Sequence, residues 1–169
     1  VANNRSALLY SIDMAACPYA PVGFAKKDCG PLFDDFEINR GWVRDPDGTD
    51  SATAGWWQIG NPAAVSVQGP KQLGTTVSGR YALVTGPQAP KGANTYDLDG
   101  GVTTIRSAPV SLTDPVGDLS FRYSFAHRSN SSSDDWFRVW VEAEDGTRTL
   151  VKEELGTQRD DDAQWASAR

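Results

Sequence analysis

The sequence predicts an all-β domain, an antiparallel jelly-roll β-sandwich with a short N-terminal helix. Two observations lead to this fold class. Apolar and polar residues alternate along the segments 119–125 and 136–143, which is the pattern of strands with one buried face. Sixteen Gly and ten Pro divide the rest of the chain into further short segments, and many short strands joined by turns are typical of a sandwich.

The first predicted element is an amphipathic helix over residues 3–16. Its apolar residues recur at intervals of three and four positions, behind an asparagine that could cap a helix. These apolar residues are Leu8, Leu9, Ile12 and Ala15 or Ala16. We expect the apolar face of the helix to pack against the sandwich or against a neighbouring domain.

An irregular linker follows, so residues 1–30 are predicted to be a helix with its linker and residues 31–169 the jelly-roll domain. Cys17 and Cys29 enclose a short loop within this linker. In an oxidising compartment we expect them to form a disulfide, which stabilises a domain by roughly 3 kcal/mol in the loop-entropy description. In a cytosolic protein the same residues would be two free thiols.

Six further strands are predicted between clusters of Gly, Pro, Asn and Asp. They are 33–38, 55–59, 64–67, 81–85, 102–107 and 150–153. Long polar loops lie between them, at 46–50, 86–94 and 128–135. Such loops are typical of the two ends of a sandwich, where ligands are usually held.

Charge and composition exclude several classes of function. The net charge is −6 and the pI is near 4.7, so nucleic acid and anionic membranes are not expected partners. No apolar run approaches the roughly 18 to 20 residues of a membrane helix. His127 is the single histidine, and the motifs of zinc proteases, serine hydrolases and nucleotide-binding loops are missing. We therefore predict a binding or accessory module with no catalytic residues.

A succession of motifs is more specific than composition. In chain order they include D-D-F-E-I-N-R-G-W (34–42), D-L-D-G-G-V-T-T-I-R-S-A-P-V-S-L (97–112) and S-D-D-W-F-R-V-W-V (133–141). This succession resembles the jelly-roll accessory domain of secreted bacterial peptidases, especially actinobacterial zinc carboxypeptidases. It is also similar to the MAM domain and to carbohydrate-binding modules that open with F-E-x-x-x-x-W. The resemblance implies a secreted, extracellular domain.

The resemblance also implies partners. The stretch A-L-L-Y-S-I-D-M-A-A-C-P-Y (7–19) is similar to the junction that leaves a peptidase catalytic domain. The parent catalytic domain is therefore one expected partner, and a protein or polysaccharide substrate is another.

Val1 is not an initiator methionine, and family members continue beyond the equivalent of Trp165. We expect a chain truncated at its C-terminus, with no strand after Trp165 and with an open sheet edge that the missing C-terminal segment, a second molecule or the N-terminal helix covers.

Calcium is the cofactor that the acidic residues favour. Hard cations need about six to eight oxygen ligands, and three clusters of carboxylates are candidates to supply them. The clusters are Asp34, Asp35 and Glu37, then Asp97 and Asp99, and then Asp134 and Asp135. The resemblance places an ion beside the F-E motif, so Asp35 and Glu37 are the favoured metal ligands. Asp99, Asp134 and Asp135 of the other two clusters are further candidate ligands. The alternative is that these residues form solvated acidic turns.

Two groups of tryptophans are candidate ligand-binding residues. Trp136 and Trp140 share one face of a predicted strand with Arg138 between them, an arrangement that can stack sugar rings or a peptide. The same residues could instead form the core, and this structural use is favoured for a sandwich. Trp56 and Trp57 are adjacent, so only one of them can face the core. The exposed one is the better ligand candidate, and we assign this role to Trp57.

Three functions compete on these features. The first is an accessory domain of a secreted peptidase, which aids substrate or surface binding or stabilises the enzyme. The second is a carbohydrate-binding module of a secreted glycosidase, for which glycan binding should depend on the exposed tryptophan. The third is an adhesion or self-association domain, which should dimerise at micromolar concentration.

Overall fold

A computed structural model describes residues 9–13, 32–87, 97–112 and 118–169, and for 9–13 it describes the backbone alone. These parts of the chain contain strands and no helix, so none of their residues forms a helix that could cross a membrane. The strands are β1 (Leu9–Asp13), β2 (Val43–Arg44), β3 (Gln58–Gly60), β4 (Val65–Ser66), β5 (Pro70–Gln72), β6 (Ala82–Val84), β7 (Ile105–Arg106), β8 (Phe121–Ala126), β9 (Trp136–Glu142), β10 (Arg148–Leu155) and β11 (Ala166–Ala168).

Five strands form the main sheet, in the order β11–β8–β1–β6–β3, and every neighbouring pair is antiparallel. β1 lies at the centre of this sheet. Ile12 of β1 pairs with Leu83 of β6 on one side and with Tyr123 of β8 on the other. A strand in this position satisfies its backbone N–H and C=O groups on both edges.

Three two-stranded antiparallel ribbons accompany the main sheet: β9–β10, β2–β7 and β4–β5. The longest is β9–β10, in which Trp136 pairs with Leu155 at one end and Glu142 with Arg148 at the other. The register shifts between Leu150 and Lys152. Such a bulge places two residues of one strand opposite one of its partner and increases the local twist.

An aromatic core joins the main sheet to the β9–β10 ribbon. Tyr123 of β8 and Phe137 of β9 stack with their ring centroids 5.6 Å apart. Full burial of one such aromatic side chain stabilises a fold by about 1.5 to 3 kcal/mol, so this contact fixes the ribbon against the sheet. The buried cluster consists of Phe36, Trp57, Leu83, Phe121, Tyr123, Phe125 and Phe137.

The all-β prediction is confirmed for the described residues. The two alternating segments form β8 and β9, and five of the six shorter predictions overlap β3, β4, β6, β7 and β10. β2 and β5, with two and three residues, were not predicted.

The strand predicted at 33–38 is wrong. Phe36 is fully buried, but its φ of 57° lies in the left-handed region. Oδ1 of Asp34 accepts a hydrogen bond from the backbone N of Phe36 at 2.8 Å, so the chain turns here instead of extending. A side chain that bonds to the backbone two residues later competes with strand formation in this way.

The two chain-terminal predictions also need correction. The helix predicted over 3–16 is wrong for its described part, since Leu9–Asp13 is a strand. Short helices are marginal in water, whereas the position between β6 and β8 gives this segment hydrogen-bond partners on both sides. The expectation of no strand after Trp165 is wrong as well, because β11 pairs with β8 from Ala166 to Ala168. Cys17 and Cys29 lie outside the described residues, so their disulfide stays a prediction.

Candidate functional site

The outer face of the β9–β10 ribbon carries the row of Trp136, Arg138 and Trp140. Their neighbour in the alternation, Phe137, is only 4% exposed and belongs to the core, whereas Trp140 is 46% exposed. Successive side chains of a strand point to opposite faces. The row therefore lies on the solvent side, and the expectation that these residues form the core is wrong.

Arg138 is held in place by two neighbours on this face. Its guanidinium carbon lies 4.4 Å from the centroid of the Trp136 ring, within the range of a cation–π interaction. Its Nε donates a hydrogen bond to Oε2 of Glu153 at 2.6 Å, and the two residues are directly paired in the ribbon. The charge of Arg138 is thus balanced by Glu153.

Aliphatic side chains flank the row on β10. Leu155 pairs with Trp136 and Leu150 pairs with Trp140, and these leucines are 42% and 41% exposed. Val151, at the bulge, is 39% exposed. Single exposed apolar residues are ordinary on a protein surface, but a contiguous group of them marks an interaction site. We call the group Trp136, Arg138, Trp140, Leu150 and Leu155 the ribbon face.

An open pocket adjoins the Trp136 end of the ribbon face. Its walls include Trp136 and Arg138 of β9, the core residue Trp57, and the carboxyl-bearing residues Asp134 and Asp135. The loop 101–103 forms the opposite wall. The fold thus brings together three of the four predicted ligand-binding residues and two of the five predicted metal ligands.

The structure reverses the assignment of the adjacent tryptophans. Trp57 is 8% exposed and packs in the core, where its ring centroid lies 6.5 Å from that of Phe137. Trp56 is the exposed member, at 42%. Its indole N–H donates to the carbonyl oxygen of Ala52 at 2.9 Å, and Arg44 lies over its ring. Trp57 is the buried member of the pair because it directly precedes β3, and that strand fixes the direction of the Trp57 side chain.

The acidic residues around the F-E motif accept hydrogen bonds from backbone N–H groups and from one indole N–H. Oδ2 of Asp34, which is buried, accepts a hydrogen bond from the indole N–H of Trp42 at 2.8 Å. Oε1 of Glu37 accepts hydrogen bonds from the backbone N of Arg80 at 2.6 Å and of Tyr81 at 2.9 Å. Oδ1 of Asp35 accepts from the backbone N of Glu37 at 3.3 Å. These carboxylates therefore hold the 34–42 segment and the 79–81 turn in place.

Asp135 and Asp134 differ in their surroundings. Oδ2 of Asp135 accepts hydrogen bonds from Oγ of Ser131 and from the backbone N of Ser132, both at 2.9 Å. Asp135 thus closes the loop that precedes β9. Asp134 is exposed. Within the described ranges, no three His, Cys, Asp or Glu side chains are grouped to hold a metal ion, and the calcium site stays a prediction.

Asp97 and Asp99 form the third acidic cluster, and Asp97 is only 2% exposed. Burial, reinforced by the nearby charge of Asp99, raises the pKa of Asp97 to about 7. The D-L-D-G order of residues 97–100 indicated this cluster. The burial of Asp97 was not predicted, because it depends on contacts with residues distant in the sequence.

Sequence reasoning missed a buried lysine. Lys71 of β5 is fully buried, and its Nζ lies 2.8 Å from Oδ1 of Asp162 and 3.6 Å from Oδ1 of Asp160. Nζ also donates to the carbonyl oxygen of Asp161 at 3.1 Å. The three aspartates are consecutive in the sequence. In the fold, these aspartates surround the ammonium group of Lys71.

No protein-family model, no curated protein and no solved structure matches this chain.

Proposed function

We propose that this chain is a non-catalytic accessory domain of a secreted peptidase, of jelly-roll type, that binds protein substrate through the ribbon face. The resemblance of the motif succession to such domains supports the parent enzyme class and the extracellular location. The strand-rich fold is compatible with that architecture. The ribbon face itself supports a role in binding.

The observation that carries the proposal is the row of Trp136, Arg138 and Trp140 on the solvent side of β9. Tryptophan and arginine are enriched at the energetic centres of protein interfaces, and the ribbon face places two tryptophans and one arginine side by side. Arg138 is already fixed by Trp136 and Glu153. A partner would therefore meet a preorganised surface and lose little side-chain entropy on binding.

The composition of the ribbon face favours a protein ligand over a polysaccharide. Sugar rings need polar groups around the stacking aromatic to bond their hydroxyls. Here the cross-strand neighbours of Trp140 and Trp136 are Leu150 and Leu155. The cations on this face are already paired, Arg138 with Glu153 and Arg148 with Glu142. Such a surface suits apolar side chains of an extended or unfolded protein.

A carbohydrate-binding module of a secreted glycosidase is the second candidate. The observation that favours it is the pocket beside Trp136, where Asp134 and Asp135 place carboxylates next to an indole. This combination of a flat ring and polar groups can hold a sugar. Self-association through the ribbon face is the third candidate.

Retention on immobilised probes separates these candidates. The wild-type chain and the Trp140→Ala and Trp56→Ala variants are passed over gelatin, casein, a zinc carboxypeptidase catalytic domain, cellulose, chitin and xylan. Trp140 and Trp56 are exposed to nearly the same extent, 46% and 42%, so Trp56→Ala is the matched control. We expect retention on a protein probe to weaken roughly tenfold or more for Trp140→Ala, the size of a hot-spot loss, and to persist for Trp56→Ala.

Other results would contradict the proposal. Retention on polysaccharides alone, lost with Trp140→Ala, would support the carbohydrate-binding module. Wild-type dimers in sedimentation velocity that become monomers in Trp140→Ala would support self-association. Equal retention of the wild-type chain and both variants would show that the ribbon face does not bind the probes.

A further inference from the structure

Asp97 holds a buried carboxylate oxygen that lacks a hydrogen-bond partner. Its side chain is 2% exposed, and Oδ1 is the only carboxylate oxygen in the described part of the chain that is both fully buried and unbonded. A buried ionised carboxylate is strongly unfavourable unless a donor or a cation compensates it. The ionised Asp97 carboxylate therefore needs a hydrogen-bond donor or a cation to compensate its charge.

Asp34 is a useful comparison, because it is equally buried. One of its oxygens accepts a backbone N–H and the other accepts the indole N–H of Trp42. Arg40 also lies within 3.7 Å of Oδ1. The fold thus supplies a full set of partners to one buried aspartate and leaves an oxygen of the other without one.

Asp99 makes the lack of a partner at Asp97 more costly. Burial is the larger cause of the raised pKa of Asp97, and the nearby negative charge of Asp99 raises that pKa further. No lysine or arginine of the described residues forms an ion pair with either aspartate. Within the described ranges, the two carboxylates of this short segment thus have no lysine or arginine as a partner.

The backbone around the pair is held firmly. The backbone N of Thr53 donates to the carbonyl oxygen of Asp99 at 2.8 Å, and the N of Asp99 donates to the carbonyl oxygen of Ala54 at 3.3 Å. Gly55 lies so close that a Cβ there would be 2.4 Å from the carbonyl oxygen of Asp97. Only glycine permits this approach, so the 53–55 segment clamps the two aspartates in a fixed position.

We propose that Asp97 and Asp99 bind a calcium ion. Oxygen ligands of this kind are those that a hard divalent cation prefers. The two carboxylates supply part of the about six to eight oxygens that calcium takes, and backbone carbonyls and water supply the rest. The Asp97 oxygen is buried without a hydrogen-bond partner, and a bound cation would supply the missing compensation.

This site is distinct from the one expected beside the F-E motif. There, Glu37 already accepts two backbone hydrogen bonds and Asp34 accepts two more. Carboxylates that are satisfied by the chain gain less from a cation than one that is not. The Asp97 cluster is therefore the better position for calcium.

Thermal unfolding with calcium and with a chelator tests the site. The wild-type chain, Asp97→Asn, Asp99→Asn and the control Glu37→Gln are compared in one buffer of mildly alkaline pH. At a roughly hundredfold calcium excess over Kd, we expect the wild-type Tm to rise by roughly 5 to 10 °C. The rise should vanish in both aspartate variants and persist in Glu37→Gln.

Asp97→Asn also provides an internal check on folding. The amide removes a buried charge that lacks a partner, so in chelator this variant should melt at or above the wild-type temperature. With calcium the order should reverse. Elemental analysis of the purified chains should find about one calcium per wild-type molecule and none in Asp97→Asn.

Two outcomes would overturn the proposal. One is an identical wild-type Tm in calcium and chelator together with no calcium in the elemental analysis. The other is a calcium effect that survives in Asp97→Asn and Asp99→Asn but disappears in Glu37→Gln, which would place the ion beside the F-E motif.

Discussion

Asp34 determines the course of the F-E segment at the scale of single residues. Its two oxygens bond the backbone N of Phe36 and the indole of Trp42, and Phe36 packs against Trp42 with ring centroids 5.5 Å apart. The sequence singles out the acidic residues of this segment as candidate ligands. It does not reveal the turn, because alternation in D-F-E is compatible with a strand and side-chain bonds to the backbone leave no periodic signal.

Replacement of Asp34 by alanine should be strongly destabilising. It removes two hydrogen bonds and leaves a buried backbone N–H and an indole N–H without their acceptor, so we expect a loss of about 2 to 3 kcal/mol in the free energy of unfolding. Urea denaturation measures this loss. Asp35→Ala is the matched control, since Asp35 is half-buried and makes a longer bond of 3.3 Å. Equal losses for both variants would contradict the role of Asp34.

Alternation along the chain predicts the long elements, whereas three of the short strands, β2, β5 and β11, were not predicted. β8, β9 and β10 have six to eight residues each and were all anticipated. The row of Trp136, Arg138 and Trp140 was also recognised, but its position on the solvent side of the strand was not predicted. Which face is buried depends on the element that packs against it, here β8 through Tyr123 and Phe137.

A small polar cluster also links β8 to the inner face of β10. The hydroxyl of Tyr123 donates to Oε1 of Glu154 at 2.6 Å, and Nζ of Lys152 lies 2.8 Å from the same oxygen. Burial alone would raise the pKa of Glu154, but the hydrogen bonds from Lys152 and Tyr123 lower it by more. The ionised form of Glu154 is thus favoured in the folded chain.

Stability should therefore fall in acid partly through Glu154. A carboxyl whose pKa is lower in the folded state stabilises the fold above its unfolded pKa, and this contribution disappears as the pH falls through the folded value. We expect Glu154→Gln to be less stable than wild type near pH 7 by about 1 kcal/mol or less, because 36% of the Glu154 side chain is still exposed and solvent screens the interaction. The two chains should converge well below the ordinary value of 4.5. Urea titrations across this range measure the difference, and a constant gap at all pH values would contradict the assignment.

At the scale of the whole molecule, the main sheet is assembled from distant parts of the chain. β1 and β11 lie on either side of β8, although one is close to residue 1 and the other close to residue 169. A single sequence does not specify which strands pair, because pairing depends on long-range contacts. The same limit applies to Lys71, whose partners lie some ninety positions away.

β11 protects the edge of β8, and its removal should promote association. Ala166, Ser167 and Ala168 pair with Tyr123, Arg122 and Phe121, so deletion of residues 166–169 exposes backbone N–H and C=O groups of a six-residue strand. Unpaired strand edges are templates for pairing with another chain. The loss of two or three backbone hydrogen bonds should also lower the free energy of unfolding by about 2 to 3 kcal/mol. We expect dimers or larger species in sedimentation velocity, whereas the control Ser167→Ala, which keeps the backbone of β11, should remain monomeric. A truncated chain that stays monomeric with unchanged stability would contradict the protective role of β11.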